Sequence, residues 1–266
     1  LSEVRKEVKE TSVMADSSSP ANDIQPLLEL RGIHKFYGTL HALNDVNFTI
    51  HPGEIQALVG DNGAGKSSLI KTISGAHQPD SGEILFKGGQ VSFRSPEAAI
   101  QLGIATVYQD LALVGTLDIA NNLYLGREPT RWGMVNRRKM LEEAHRLTDL
   151  LKVDIPSVEA KVGKLSGGQR QAVAIGRAVH EGRSILLLDE PTAALGVKES
   201  HQMLSLIETL RDKQKAILIV SHNLLHVFRI ADRITVIRAG QIVGSRRKSE
   251  TNADEIVKLI TGAELL

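Results

Sequence analysis

The chain has 266 residues, with 32 basic side chains against 31 acidic ones for a net charge of +1, no cysteine, and only 3% aromatic residues. Such a composition supports one sizeable apolar core, excludes a disulfide framework or thiolate zinc site, and offers neither the basic surface nor the stacking platforms that nucleic acid requires. No apolar run approaches the roughly 18–20 residues that span a bilayer, and the start lacks the apolar core of a secretory signal, so any membrane role must pass through a partner.

Residues 1–25 interleave Glu3, Arg5, Lys6, Glu7, Lys9 and Glu10 before Ser17-Ser18-Ser19-Pro20, and Val4 and Val8 are too few to hold a helix down. A disordered leader is expected there, with Met14 a candidate natural start. One domain is expected over 26–266. Structure is expected to begin at 27–30, and the alternation of 44–50 suits a half-buried strand. The turn His51-Pro52-Gly53-Glu54 leads into Ile55-Gln56-Ala57-Leu58-Val59, which reads as a short buried strand.

Gly60-Asp61-Asn62-Gly63-Ala64-Gly65-Lys66-Ser67 then fits the phosphate-loop pattern G-x-x-x-x-G-K-[ST], with a strand before it and a helix over 68–73 after it. The glycines allow a tight turn whose successive N–H groups converge on a triphosphate at the positive end of the helix. Lys66 has the reach for the β- and γ-phosphates, and the Ser67 hydroxyl suits Mg²⁺. Nucleoside triphosphate binding is the expectation.

Past the turn Gln78-Pro79-Asp80-Ser81-Gly82, residues 83–86 and 90–93 are expected to form a hairpin around Gly88-Gly89. Ser95 reads as a helix cap with Pro96 at the first helical position. Residues 104–108 read as a strand ending at Gln109. From 110 to about 164 the strand signal disappears, and Met140, Leu141, Ala144, Leu147, Leu150 and Leu151 mark one face of a helix over 137–151. A small helical lobe is expected, over 111–182, between the two parts of the core at 27–110 and 183–266.

Leu165-Ser166-Gly167-Gly168-Gln169 precedes an apolar-patterned helix over 170–180. Ser166 with two flexible N–H donors at a helix start makes a second anion site, although Ser-Gly-Gly also occurs in plain loops. Strands return at 184–188, a nearly continuous apolar run typical of burial on both faces. That run delivers Asp189 and Glu190 at its carboxyl end, where ligands sit in open α/β sheets. Asp189 can hold Mg²⁺ and Glu190 can orient or deprotonate an attacking water, unless the pair merely ends a strand at the surface. Helix 199–211, strand 216–220, helix 223–230, strand 234–238, a last strand at 241–245 and helix 252–261 imply right-handed crossovers in a mostly parallel sheet. The basic runs Arg137-Arg138-Lys139 and Arg246-Arg247-Lys248 are expected to be solvated faces.

LSGGQ before a helix, with the phosphate loop upstream and ILLLDEPTAAL downstream, resembles the nucleotide-binding subunit of an ABC transporter over about 27–262. The resemblance implies an α/β fold: a P-loop NTPase with a RecA-like, mostly parallel core, an antiparallel β subdomain and a helical ABC subdomain. It implies two copies paired head to tail, with ATP and Mg²⁺ between the phosphate loop of one and Leu165, Ser166, Gly167, Gly168 and Gln169 of the other. Tyr37 then resembles the residue that stacks on adenine, or else is an ordinary core tyrosine. Gln109 resembles the glutamine that meets Mg²⁺ and water at the join between lobes, and His222 the histidine that contacts the γ-phosphate. Ser68 stands where threonine is usual and still offers a hydroxyl to the α-phosphate. Gly196 stands where an aspartate usually couples the two ATP sites.

Val59 to Gly65, Ser95-Pro96-Glu97-Ala98-Ala99, Val107 to Leu113 and Leu125-Gly126-Arg127-Glu128 are similar to monosaccharide importers of the ribose, xylose and fructose kind, in their single-cassette branch. That likeness implies ATP-driven uptake through membrane permease subunits, at the cytoplasmic face of the membrane, fed by an extracytoplasmic sugar-binding protein. Two readings compete. One is a soluble ABC ATPase of DNA repair or translation, whose long coiled-coil insertions, zinc modules or tandem cassettes are not seen here. The other is a non-hydrolysing nucleotide sensor, supported only by Gly196.

Overall fold

The computed structural model describes residues 25–180, 182–211 and 215–263; the expected leader lies outside them except for Gln25. Three strands open the described chain: β1 (Leu28–Tyr37), β2 (Leu40–Ile50) and β3 (Ile55–Val59). The first two join β4 (Ser81–Phe86) and β5 (Gly89–Val91) in an antiparallel sheet of order β2-β1-β4-β5. β3 instead enters a second sheet with β6 (Ile104–Val107) and strands from the second half of the chain. Between these, β7 (Thr130–Arg131) and β8 (Met134–Val135) make a small hairpin of their own. β9 (Ile185–Asp189), β10 (Ala216–Val220), β11 (Arg233–Arg238) and β12 (Gln241–Arg247) complete the second sheet, in order β12-β11-β3-β10-β9-β6. Its pairings are parallel except β11 with β12.

β1 and β2 are longer than the alternation suggested, and bulges explain why. Leu28, Leu30 and Ile33 are buried on β1, so the spacing slips from two to three at Gly32, which has φ +57°. On β2 the slip falls between Leu43 and Val46, at Asp45 with φ +51°. A bulge adds one residue and resets the period of two, hiding the strand from an alternation test. The Asn47 side chain accepts the Gly32 N–H at 3.0 Å and holds the two bulges together. β3 and β10 are buried at every position and β9 at its first four, as expected for parallel strands covered on both faces.

The helices are α1 (Lys66–Ile73), α2 (Pro96–Leu102), α3 (Ile119–Tyr124), α4 (Arg137–Leu151), α5 (Gly167–His180), α6 (Val197–Arg211), α7 (Leu224–Ile230) and α8 (Ala253–Thr261). Ser95 does precede α2 with Pro96 first, but its side chain makes no capping hydrogen bond to a backbone N–H. α3, α4 and α5 pack together; Met140, Ala144, Leu147 and Leu151 of α4 are buried there, with Leu141 and Leu150 at the margin. Gly176 lets α5 approach α4 closely, since a Cβ there would sit 2.8 Å from Leu151 Cδ1. α5 begins three residues before the expected Arg170. Ser166 Oγ accepts the Gln169 N–H (3.3 Å) and Gln169 Oε1 accepts the Ser166 N–H (2.8 Å), a capping box that fixes the start at Gly167.

Two expectations are corrected. The β7–β8 hairpin lies where the strand signal vanishes, because two-residue strands are too short to alternate; Trp132 (φ +55°) and Gly133 (φ +77°) make its turn. The basic runs are also not simply solvated. Arg137 donates to Asp118 Oδ2 at 2.6 Å, joining the cap of α3 to the first residue of α4, and Lys248 Nζ donates to the Arg229 carbonyl at 3.0 Å.

Candidate functional site

The loop between β3 and α1 is shaped by contacts that exclude side chains. Gly60 lies against the Ile237 carbonyl, and a Cβ on Gly65, at φ +111°, would stand 2.8 Å from the Ala42 carbonyl. The β11–β12 turn seals this packing: Gly240 N–H donates to the Ala64 carbonyl (2.9 Å) and Asn44 N–H to the Gly240 carbonyl (2.8 Å). Lys66 is buried and folds back, its Nζ donating to the Gly60 and Asp61 carbonyls at 2.7 and 2.8 Å. Burial lowers the Lys66 pKa, and the charges of Glu190, Asp61 and Asp189 partly offset it. A buried ammonium held by loop carbonyls is ready to exchange them for phosphate oxygens.

The C-terminal ends of β9 and β10 face this loop across a cleft of about 620 Å³. Asn62, Gly63, Gly65, Lys66, Ser67 and Ser68 line one side. Gln109, Asp189, Glu190 and His222 line the other, with Tyr37 at the rim, its ring 37% exposed and edge-on to His77. The volume suits a nucleotide-sized ligand. Burial first, then the Glu190 carboxylate, pushes the Asp189 carboxyl up, while Lys66 and Lys71 draw it back. Glu190 adopts φ +51°, a conformation costing a side-chain-bearing residue about 1 kcal/mol or more. Its N–H donates to the Val220 carbonyl at 3.0 Å, and its Oε1 lies 2.9 Å from His222 Nδ1. With His222 Nδ1–H donating to Oε1, Glu190 Oε2 is left to accept from water. Gly60, Asp61 and Ala64 belong to the loop but do not line the cleft.

None of Leu165, Ser166, Gly167, Gly168 and Gln169 lines this cleft. Leu165 is buried, Ser166, Gly168 and Gln169 border a separate surface hollow beside α6, and Gly167 borders another shared with Gln109 and Glu190. Gly196 opens α6, its carbonyl accepting the Ser200 N–H at 2.8 Å.

The ABC transporter family profile matches residues 43–193, which include the phosphate loop, LSGGQ and the Asp189-Glu190 strand. The chain belongs to the ABC transporter family. It is an ATP-binding, ATP-hydrolysing cassette of that family. Similar proteins include the xylose/arabinose import ATP-binding protein XylG of Sulfolobus acidocaldarius, 48% identical over 90% of this chain and 95% of its own length. The fructose import ATP-binding protein FrcA of Rhizobium meliloti is 45% identical over 90% of this chain and 95% of its own length. Against the ribose import ATP-binding protein RbsA of Yersinia pestis, 41% identical over 90% of this chain, the cassette spans only 47% of the relative. A nucleotide-free ATP-binding cassette from an ABC transporter superposes with a TM-score of 0.77 at 26% identity, covering 90% of this chain and 96% of the other. Among the described residues, no helix is long and apolar enough to cross a membrane.

Two features of the cassette site escaped sequence reasoning. Ala42 and Gly240 form part of the phosphate loop's seat through backbone atoms alone, which side-chain chemistry cannot reveal. His226 links the two loops that carry Glu190 and His222. Asn223 caps α7 by accepting the His226 N–H on Oδ1 (3.3 Å), so its amide nitrogen is the donor facing His226 Nε2 at 3.4 Å. The ring proton therefore sits on Nδ1, which donates to Thr192 Oγ1 at 3.0 Å. Burial, with His201, Arg229 and His222 nearby, lowers the His226 pKa and favours this neutral form. The Asn at 223 before an apolar run was the available sequence signal for that cap.

Proposed function

We propose that this cassette powers uptake of a monosaccharide, working as a head-to-tail pair of copies beneath membrane permease subunits at the cytoplasmic face. An extracytoplasmic sugar-binding protein would supply the substrate. The observation that carries the pairing is the position of Ser166, outside the cleft that Lys66 and Glu190 share. A site that needs LSGGQ is incomplete in one copy and completed by a second. The sugar reading rests on relatives named for xylose/arabinose and fructose import that match along nearly their whole length. The division into a core (27–110 and 183–266) and a helical lobe (111–182) places Gln109 at the join, bordering both the ATP cleft and the hollow beside Gly167.

In the mechanism, the loop N–H groups and Lys66 bind the phosphates while Tyr37 takes the base. Ser67, Gln109 and Asp189 present hydroxyl, amide and carboxylate oxygens to one cleft, a hard donor set that fits Mg²⁺. Bound there, the ion would offset charge on the β- and γ-phosphate oxygens. Glu190, oriented by His222, accepts a proton from the attacking water, and the partner's LSGGQ closes the site against bulk water.

The test is uptake of a panel of labelled monosaccharides in a strain lacking the gene, rescued by wild type or by Lys66→Ala. Loss of one sugar's uptake, restored only by wild type, is expected. Unchanged uptake of every sugar would remove the monosaccharide reading and leave the ATPase reading to be judged by turnover.

A further inference from the structure

The β7–β8 hairpin lies on the α3–α4 connection, and no residue of it lines the ATP cleft. Its six residues 130–135 are all exposed, including three large apolar ones: Trp132 at 88%, Met134 at 72% and Val135 at 56%. Trp132 occupies the first position of a two-residue turn whose left-handed conformation is unusual for a bulky residue. The sequence thus spends its one tryptophan on the tip of a solvent-facing hairpin. A turn apex offers no groove to a partner helix; it offers an indole that can enter something soft.

Charge narrows what that is. Residues 126–139 carry five basic side chains against one acidic, in a chain whose total is only +1. Arg131 stands beside Trp132 and pairs across the hairpin with Met134, while Arg138, 89% exposed, and Lys139 follow on the first turn of α4. Arg137 is paired with Asp118 at 2.6 Å and Arg138 with Glu142 at 2.9 Å, so Arg131 and Lys139 set the local sign more directly. An exposed indole among cations is the chemistry of a membrane–water interface: the ring rests at headgroup depth while the cations meet anionic lipid. A two-residue-per-strand hairpin gains little stability from showing those side chains to water.

We propose that the Trp132 hairpin is a lipid-contacting device that rests on the anionic headgroup surface of the bilayer. It lies outside the ATP site, and the proposal needs no part of the sugar assignment. The contact is weak by itself, being one apolar tip plus a few charges, and would orient a cassette already recruited to the membrane.

The sole tryptophan makes the test direct. The full-length chain is titrated with vesicles of phosphatidylcholine alone, and of equimolar phosphatidylcholine and phosphatidylglycerol, while Trp132 emission is followed. A blue shift with the anionic vesicles, smaller with the neutral ones and reversed by salt, is expected. Arg131→Glu, which keeps the tryptophan, should weaken that partitioning roughly tenfold or more, with ATP turnover unchanged. Trp132→Ala should co-sediment less with the same vesicles and also keep its turnover. Three results would overturn the proposal. One is emission unchanged by either vesicle; another is an equal shift with neutral lipid and in Arg131→Glu. The third is an indole shielded only when the permease is added in detergent, which would make the hairpin a protein contact.

Discussion

Replacing Lys66 by methionine separates what this residue does for the fold from what it does for ATP. Methionine keeps much of the apolar stem and removes the charge. In the free protein two effects oppose each other. The variant loses two charge-assisted hydrogen bonds, at 2.7 and 2.8 Å, each worth about 1.5–3 kcal/mol. It also escapes the cost of burying an ammonium, which runs to several kcal/mol in proteins. The lowered pKa of Lys66 gives the sign of the charge's environment: folding disfavours the protonated form. That penalty is fully present below the folded pKa and fades as pH rises toward 10.5, the ordinary lysine value. The two effects are similar in size, so the free variant should melt within about 5 °C of wild type near neutral pH. Any advantage of the variant from the missing charge should shrink as pH rises toward that value. ATP at a hundred times its Kd should stabilise wild type by about 2.7 kcal/mol, or roughly 5–10 °C. The variant should show almost none of this shift. Thermal melts with and without Mg-ATP, plus calorimetric titration, read both effects. Full ATP stabilisation in Lys66→Met would refute the assignment of the ammonium to the phosphates.

Further outcomes follow from the same geometry. Gly65→Ala places a Cβ against the Ala42 carbonyl in a left-handed conformation, so it should cost at least about 1–2 kcal/mol of stability and most of the ATP affinity. Wild-type calorimetry for that variant would contradict the loop's seating. His226→Ala cuts the link between Thr192 and Asn223 and should lower kcat by roughly 10–100-fold with ATP affinity kept, because it displaces Glu190 and His222 without touching the phosphates. Equal turnover in steady-state assays would reduce His226 to packing. Mixing Ser166→Arg with Lys66→Ala chains in equal amounts gives half heterodimers, each with one intact composite site. Recovery of roughly a quarter of wild-type turnover is expected if one site works alone, and none argues against head-to-tail pairing provided mass spectrometry shows heterodimers.

The parts of the fold legible in the sequence are those where one local rule acts without interference. β10 and the first four residues of β9 are continuous apolar runs, β3 is apolar but for Gln56, and α4 follows the helical period over its whole length. The bulged strands β1 and β2 resisted because Gly32 and Asp45 reset the period, and β7–β8 because a strand of two residues has no pattern. At the site, the motif residues bring their chemistry with their identity: Lys66, Asp189, Glu190 and His222 come together around one cleft. The seat beneath the loop was not legible, since Ala42 and Gly240 act through backbone carbonyls and N–H groups. The start of α5 is obscured because the S-x-x-Q spacing of Ser166 and Gln169 suits an anion site as well as a helix cap.

Hydrolysis at the Glu190–His222 pair is the central claim, and turnover of Mg-ATP by wild type beside Glu190→Gln tests it most directly. Glutamine keeps the shape of the side chain but not its basicity, so turnover should fall at least about a hundredfold while calorimetry shows ATP still bound. A Glu190→Gln variant that hydrolyses ATP at the wild-type rate would contradict the account, and would move the general base to another residue of the cleft.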